Sequence, residues 1–81
     1  MGRKEKLIKR FTAIPADFTW SELCSLLGGL GYEMLAGSES RRKFKKGERI
    51  IVLHEPHPGS IVKKYVLRQV LAALKETGEI E

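Results

Sequence analysis

Several residue types and patterns are scarce in this sequence, and each shortage excludes a class of protein. Among 81 residues there is one cysteine, Cys24, so no internal disulfide can form and a reducing, cytoplasmic environment is expected. No apolar run approaches the roughly 20 residues of a membrane-spanning helix. Residues 1–10 are rich in charge and lack the apolar segment of a secretion signal. We therefore expect no contact with a membrane.

Motifs for metal and cofactor chemistry are missing as well. No set of cysteines and histidines has the spacing of zinc ligands. The glycines between residues 28 and 31 close a helix instead of opening one, so they do not match a phosphate-binding loop. A chain of 81 residues also buries too little surface for a large internal pocket. We expect no metal, no cofactor, and a site on the surface or at an interface.

The charge of the chain is +5, from 15 lysines and arginines against 10 aspartates and glutamates. A positive protein attracts polyanions, so a nucleic acid is the first candidate partner, although many small proteins of this charge bind none. One cluster of cations consists of Arg3, Lys4, Lys6, Lys9 and Arg10. In a second cluster, which ends at Arg49, the candidate RNA-binding residues are Arg41, Arg42, Lys43, Lys45 and Lys46.

A helix is expected to begin after Thr19. Thr19 and Glu22 have the spacing of a capping box, in which each side chain accepts a hydrogen bond from the backbone N–H of the other residue. Apolar residues then recur at helical spacing, and Gly31 suits the left-handed conformation in which helices end. The pattern predicts a helix over residues 20–30 with one buried face.

The rest of the chain predicts three short strands and a final helix. The strands are expected over residues 32–36, 40–45 and 49–53. Lys46 and Gly47 suit a tight hairpin turn between the last two strands. Apolar residues at helical spacing predict a helix over 64–77 that Gly78 ends, after which residues 79–81 should fray.

These elements predict an α+β fold of order α-β-β-β-α. Two helices pack on one face of a three-stranded antiparallel sheet, and the other face is open to solvent. Residues 17–78 form this domain, and a short basic segment over residues 1–16 precedes it. A short helix over residues 3–11 is also compatible with the sequence.

The second predicted strand has cations at alternate positions. If Phe44 points toward the helices, Arg41, Lys43 and Lys45 point to the open face of the sheet, because side chains alternate along a strand. Three cations in a row on an exposed strand form an anion-binding surface. Alternatively, the charges keep a solvated strand soluble and discourage edge-to-edge pairing. The sequence is compatible with both interpretations.

The two histidines, His54 and His57, are the side chains that titrate nearest neutral pH and so are candidate proton carriers. Cleavage of RNA without a metal needs a base for the 2′-hydroxyl proton and an acid for the leaving oxygen. Both histidines follow the third predicted strand, in a loop, which is a common location for functional residues. Alternatively, His57 stands beside two prolines only to brace the loop with a hydrogen bond.

The order of these motifs is similar to that of the HicA-like mRNA interferase toxins. The shared motifs, in chain order, are Leu30-Gly31-Tyr32 at the end of a helix, Gly37-Ser38, a basic strand up to Phe44, an apolar strand after a hairpin, His57-Pro58-Gly59, and Leu67-Arg68 in the last helix. Each motif is short, but their order and spacing agree over about residues 17–78. The resemblance therefore spans most of the chain.

The resemblance implies a fold like that of double-stranded-RNA-binding domains. It also implies a toxin that cleaves messenger RNA without a metal and is inhibited by a HicB-like antitoxin. One position departs from the family, whose catalytic histidine lies three residues before the aromatic of the second strand, where this sequence has Arg41. Arginine stays protonated and cannot act as a general base, but it can bind phosphate. His57 matches a histidine that the family often has, so His57, Arg41 and His54 are the candidate catalytic residues.

Three functions remain compatible with the sequence. The first is a divergent mRNA interferase, in which His57 or His54 transfers the proton and Arg41 holds the phosphate. The second is a module that binds RNA without cleaving it. The third is a protein that acts mainly by binding an antitoxin-like partner. Salt-sensitive RNA binding without cleavage would favour the second, and an acidic HicB-like neighbouring gene would favour a toxin–antitoxin role.

Overall fold

The computed structural model describes residues 3–36, 41–56 and 59–80, and within them it contains three helices and three strands. In chain order these elements are α1 (Arg3–Thr12), α2 (Trp20–Gly29), β1 (Glu33–Ala36), β2 (Arg41–Lys46), β3 (Arg49–His54) and α3 (Lys64–Glu76). The predicted α+β arrangement is confirmed. The helix that the sequence allowed near the N-terminus is present as α1.

Helix α2 begins and ends where the local sequence predicts. The Thr19 hydroxyl accepts a hydrogen bond from the Glu22 N–H at 3.1 Å, and Glu22 Oε1 accepts one from the Thr19 N–H at 3.0 Å. These two bonds are the predicted capping box. At the other end, Gly31 has a φ of 97°, and the Tyr32 N–H donates to the Leu27 carbonyl at 2.9 Å. This bond is typical of a Schellman motif, which closes a helix through a left-handed glycine.

The sheet has the order β1-β2-β3, and each neighbouring pair is antiparallel. The hairpin between β2 and β3 turns at Gly47 and Glu48, one residue later than predicted, so β2 extends to Lys46. Gly47 has a φ of 62°, and a glycine with positive φ at the first central position is characteristic of a tight hairpin turn. The turn fixes the register in which Phe44 lies opposite Ile51.

One apolar core lies between the helices and a single face of the sheet. Phe44 on β2 is 1% exposed and belongs to the same buried cluster as residues of α2 and α3. The fully buried members of that cluster are Phe11, Phe18, Leu23, Leu26, Leu27, Phe44, Leu67, Val70 and Leu74. Trp20 and Leu71 belong to the apolar residues at helical spacing, which predict the buried faces of α2 and α3, but both side chains are only partly buried. The Trp20 ring nevertheless meets the Phe44 ring edge to face, with centroids 5.8 Å apart.

Helix α1 packs on α2 and contributes to the same core. The Phe11 side chain is completely buried, and its ring lies 5.8 Å from that of Phe18. Arg10 Nε donates a hydrogen bond to Glu22 Oε2 at 2.9 Å, and Arg10 also pairs with Asp17 at 3.1 Å. Arg10, one of the cations of this basic segment, therefore joins α1 to the N-terminus of α2.

The prediction of a frayed end after α3 is wrong for Glu79 and Ile80. Gly78 ends the helix with a φ of 78°, and the chain then turns back onto the sheet. The Glu79 carboxylate accepts hydrogen bonds from Tyr32 Oη and Lys46 Nζ, and Ile80 is 7% exposed. Burial opposes the charge of Glu79, but these hydrogen bonds hold its pKa below the usual value.

Candidate nucleic-acid interface

The open face of the sheet presents the three cations that alternation predicts. Arg41, Lys43 and Lys45 are exposed, while Phe44 between them is buried. Within residues 3–36, 41–56 and 59–80, none of these three cations forms an ion pair. Their charges are therefore available to an external anion.

The position of β2 in the sheet excludes one explanation of its charge. β2 is the central strand and is hydrogen-bonded to β1 on one side and β3 on the other. Cations protect a sheet from edge-to-edge pairing only when they stand on an edge strand. Edge protection therefore does not explain these cations, and the remaining interpretations are solubility of the exposed strand and anion binding.

Arg42 and Lys46, the other two cations of the predicted RNA-binding set, lie on the face that is turned toward the helices. Both are half-buried and pair with carboxylates. Arg42 Nη2 lies 3.4 Å from Glu55 Oε1, and Lys46 Nζ pairs with Glu79. The structure thus brings Arg41, Lys43 and Lys45 together on the open face and places Arg42 and Lys46 elsewhere.

His54 lies directly opposite Arg41. The two residues are cross-strand partners in the β2–β3 register, and both side chains are exposed on the open face. The Cβ atoms of such opposed residues lie about 5 Å apart. The histidine was expected in the loop after the third strand, but β3 continues through it. His57, the other candidate proton carrier, lies outside the described residues.

Exposed apolar side chains flank the cations on both neighbouring strands. Leu35 on β1 and Val52 on β3 are the cross-strand partners of Lys43, and Ile50 is the partner of Lys45. These three side chains are 38%, 47% and 56% exposed, respectively. On the β1 side, the partner of Lys45 is Glu33, so the open face is a mixed surface in which a central row of cations has apolar neighbours and one acidic neighbour.

A groove that sequence reasoning missed adjoins this face. It has a volume of about 370 Å³, and His54 and Tyr65 are among the residues that line it. Tyr65 lies in the first turn of α3 and is 63% exposed, which is unusual for a large aromatic side chain. The sequence signal for this groove was Tyr65, an aromatic residue that does not lie on the apolar face of the predicted helix.

Cys24 is half-buried. Burial raises the pKa of its thiol, and the negative charge of nearby Glu55 raises the pKa further. A thiol with a raised pKa is a poor nucleophile. Among the described residues, no group of three or more histidine, cysteine, aspartate or glutamate side chains is placed to hold a metal ion. In the same part of the chain, no helix is long and apolar enough to cross a membrane.

The family model for the HicA toxin of bacterial toxin–antitoxin systems matches residues 20–78, which include α2, the whole sheet and α3. The chain belongs to the HicA toxin family. As a family member it is a toxin that pairs with an antitoxin. No curated protein and no solved structure matches the chain. The HicA match includes the open sheet face and the groove, whereas α1 lies before it.

Proposed function

We propose that this HicA-family chain is a metal-independent endoribonuclease of the cytoplasm that cleaves messenger RNA and is inhibited by a HicB-like antitoxin. The supporting observation is the Arg41–His54 pair on the open face of a basic central strand. Arg41 occupies the position at which the resemblance to HicA-like toxins implies a histidine. His54 lies opposite it on the neighbouring strand. The proton carrier is thereby displaced sideways by about 5 Å.

Arg41, Lys43 and Lys45 bind the RNA backbone in this proposal. Alternate residues of a strand are spaced about 6.6 Å apart, which is close to the spacing of successive phosphates in an RNA strand. Contacts to phosphate do not depend on the base sequence, so they position the RNA without selecting it. The apolar side chains beside the cations exclude water from part of the surface and strengthen these charge interactions.

The reaction begins when His54 Nδ1 or Nε2 accepts the proton of a 2′-hydroxyl. The 2′-oxygen forms a bond to the adjacent phosphorus, and the bond from phosphorus to the 5′-oxygen of the next nucleotide breaks. The Arg41 guanidinium stabilises the negative charge that develops on the phosphoryl oxygens. The leaving 5′-oxygen takes up a proton, and we assign His57, the second histidine of the sequence, as the donor. The products end in a 2′,3′-cyclic phosphate and a 5′-hydroxyl.

A second candidate function is RNA binding without cleavage. It is favoured by Arg41 itself, because an arginine at the family's histidine position binds phosphate but cannot accept a proton. In that case the toxin would block RNA by occupancy, and the His54 side chain would serve only as a further contact.

Two experiments test the proposal. The protein is induced in bacteria alone and together with its neighbouring gene, and growth is followed. Purified toxin, freed of antitoxin, is then incubated with messenger RNA in the presence of a chelator, and the product ends are identified. We expect growth arrest that the neighbour relieves and cyclic-phosphate ends. RNA that is bound and stays intact would support the second candidate, and arrest without RNA binding would contradict both.

A further inference from the structure

We propose that the groove between β3 and α3 binds one base of a single-stranded RNA, next to the phosphate that Arg41 and His54 hold. The inference rests on the proposed function, because that phosphate site is part of it. The groove of about 370 Å³ is large enough to admit a flat heterocycle. Its lining includes Val52, His54, Ile61, Lys63, Tyr65 and Gln69.

Tyr65 offers an exposed aromatic ring for stacking. It is 63% exposed, whereas Leu67 and Val70 of the same helix are at most 1% exposed. The ring therefore contributes little to the core, and its burial by a ligand would gain apolar contact area. Because every base has a flat aromatic face, stacking on tyrosine accepts any base and is a common means of holding single-stranded nucleic acid.

The remaining walls suit the faces and the polar edge of a base. Gln69 follows Tyr65 by one helical turn, so both project from the same side of α3. Its amide has two donors and an acceptor that can hydrogen-bond to a base edge. Val52 and Ile61 also line the groove, are 47% and 46% exposed, and provide apolar surface for contact with the base.

The wall that contains Ile61 is fixed by backbone hydrogen bonds. The Trp20 N–H donates to the Ser60 carbonyl at 2.7 Å, and the Val62 N–H donates to the Phe18 carbonyl at 2.8 Å. This segment is therefore tied to the capped start of α2. A base that enters the groove does not have to order it, which lowers the entropic cost of binding.

The charge of the groove suits an RNA chain as the occupant. Lys63 lines the groove, and His54 lines both the groove and the open face. Glu55 also lines the groove, but its carboxylate pairs with Arg42 at 3.4 Å, so its charge is compensated. A polyanion bound along β2 can thus continue past His54 and place a base against Tyr65.

The test measures affinity for a short single-stranded RNA that carries 2′-O-methyl groups and therefore cannot be cleaved. Tyr65→Ala should weaken binding about 5- to 150-fold, the usual loss when one stacking aromatic is removed. Tyr65→Phe should keep the affinity, because the ring remains. The salt dependence of Tyr65→Ala should match that of the wild type, since no phosphate contact is lost. Met34→Ala is the matched control, because Met34 is 50% exposed and does not line the groove.

Replacing the bases of the RNA one at a time by abasic sites completes the test. One abasic position should weaken binding to the wild type and leave binding to Tyr65→Ala unchanged. Salt-sensitive RNA binding that Tyr65→Ala does not alter would overturn the base-binding groove and leave the proposed function intact. Loss of antitoxin binding alone in Tyr65→Ala would assign the groove to the protein partner and also overturn it. A wild type that binds no RNA would overturn both proposals.

Discussion

Arg41 and His54 occupy directly opposed positions on β2 and β3, with both side chains on the open face of the sheet. An arginine and a histidine about 5 Å apart can act on the same phosphate and its neighbouring hydroxyl. A guanidinium binds phosphate through charged hydrogen bonds, and an imidazole is the side chain most often used for proton transfer. In the proposed mechanism, the pair supplies phosphate binding and proton transfer at one point of the surface.

Removal of His54 should affect the rate more than the binding. We expect His54→Ala to lower RNA cleavage at least about 100-fold, the usual loss for one acid–base group, with RNA affinity nearly unchanged. Single-turnover cleavage and equilibrium binding to a 2′-O-methyl RNA are the two measurements. His57→Ala is assayed in parallel. If His57→Ala abolishes cleavage and His54→Ala does not affect it, His57 is the proton carrier and the Arg41–His54 assignment is wrong.

Arg41→His introduces the histidine that the resemblance to HicA-like toxins implies at this position. In a wild type that already cleaves, the substitution should weaken RNA binding and lower the cleavage rate, because the guanidinium that stabilises the developing phosphoryl charge is lost while His54 still transfers the proton. Cleavage assays at several RNA concentrations separate the two effects. If cleavage instead rises from undetectable to clear, the wild type is an RNA-binding protein without a general base, and the mechanism through His54 is incorrect.

The cations of the open face should determine the salt dependence of RNA binding. Lys43→Ala removes one phosphate contact, so we expect weaker binding to many RNAs alike and a reduction of about 0.7 to 0.9 in the slope of log affinity against log salt. Lys6→Ala on α1 removes the same charge away from the sheet and should leave the slope unchanged. Affinity that does not respond to salt would contradict phosphate binding by this face.

Thr19→Ala should destabilise the fold by about 1 kcal/mol, because the Glu22 N–H loses its hydrogen-bond acceptor at the start of α2. Thr19→Ser keeps the hydroxyl and should retain most of the stability. The midpoint of urea unfolding, followed by the fluorescence of Trp20, gives the measurement. Equal midpoints for the alanine variant and the wild type would mean that the cap contributes nothing.

Glu22 should make the fold sensitive to acid. The hydrogen bond from Arg10, with that from the Thr19 backbone, lowers the pKa of Glu22 from 4.5 to about 2. A carboxyl whose pKa is lower in the folded state stabilises the fold above its unfolded pKa, and this contribution is lost as the pH falls toward the folded value. The loss therefore falls between pH 4.5 and about pH 2.

Urea unfolding at a series of pH values checks this expectation. Glu22→Gln should reduce stability at neutral pH and flatten its decline over the acid range. Glu5→Gln, which changes an exposed carboxylate on α1, should keep the decline of the wild type. The same acid decline in Glu22→Gln as in the wild type would show that another group is responsible.

The ends of the elements could be predicted because their causes are local. The bonds of the capping box join residues three apart, and the left-handed glycines at 31, 47 and 78 need only their own backbone freedom. The alternation of β2 was equally local, since Phe44 fixes the facing of its neighbours.

Contacts between distant segments could not be predicted in the same way. Tyr32 and Glu79 are 47 residues apart, and their hydrogen bond holds the segment that was expected to fray. Phe11 is completely buried because α1 packs on α2, and no pattern within residues 3–12 fixes that docking. Such contacts depend on how elements pack after they form.

By itself, the sequence determined the charge of the chain, the capping box and the left-handed glycine at the two ends of α2, and the placement of three cations on one face of a strand. All of these follow from residue type and short-range geometry. Only the structure decided that His54 lies opposite Arg41, because the hairpin turn that fixes this register falls one residue later than the sequence indicated. Only the tertiary structure brought Tyr65 and His54 to the same groove, because the docking of α3 is set by the whole core. The residue types of the candidate site can therefore be read from the sequence, whereas their relative placement depends on the fold.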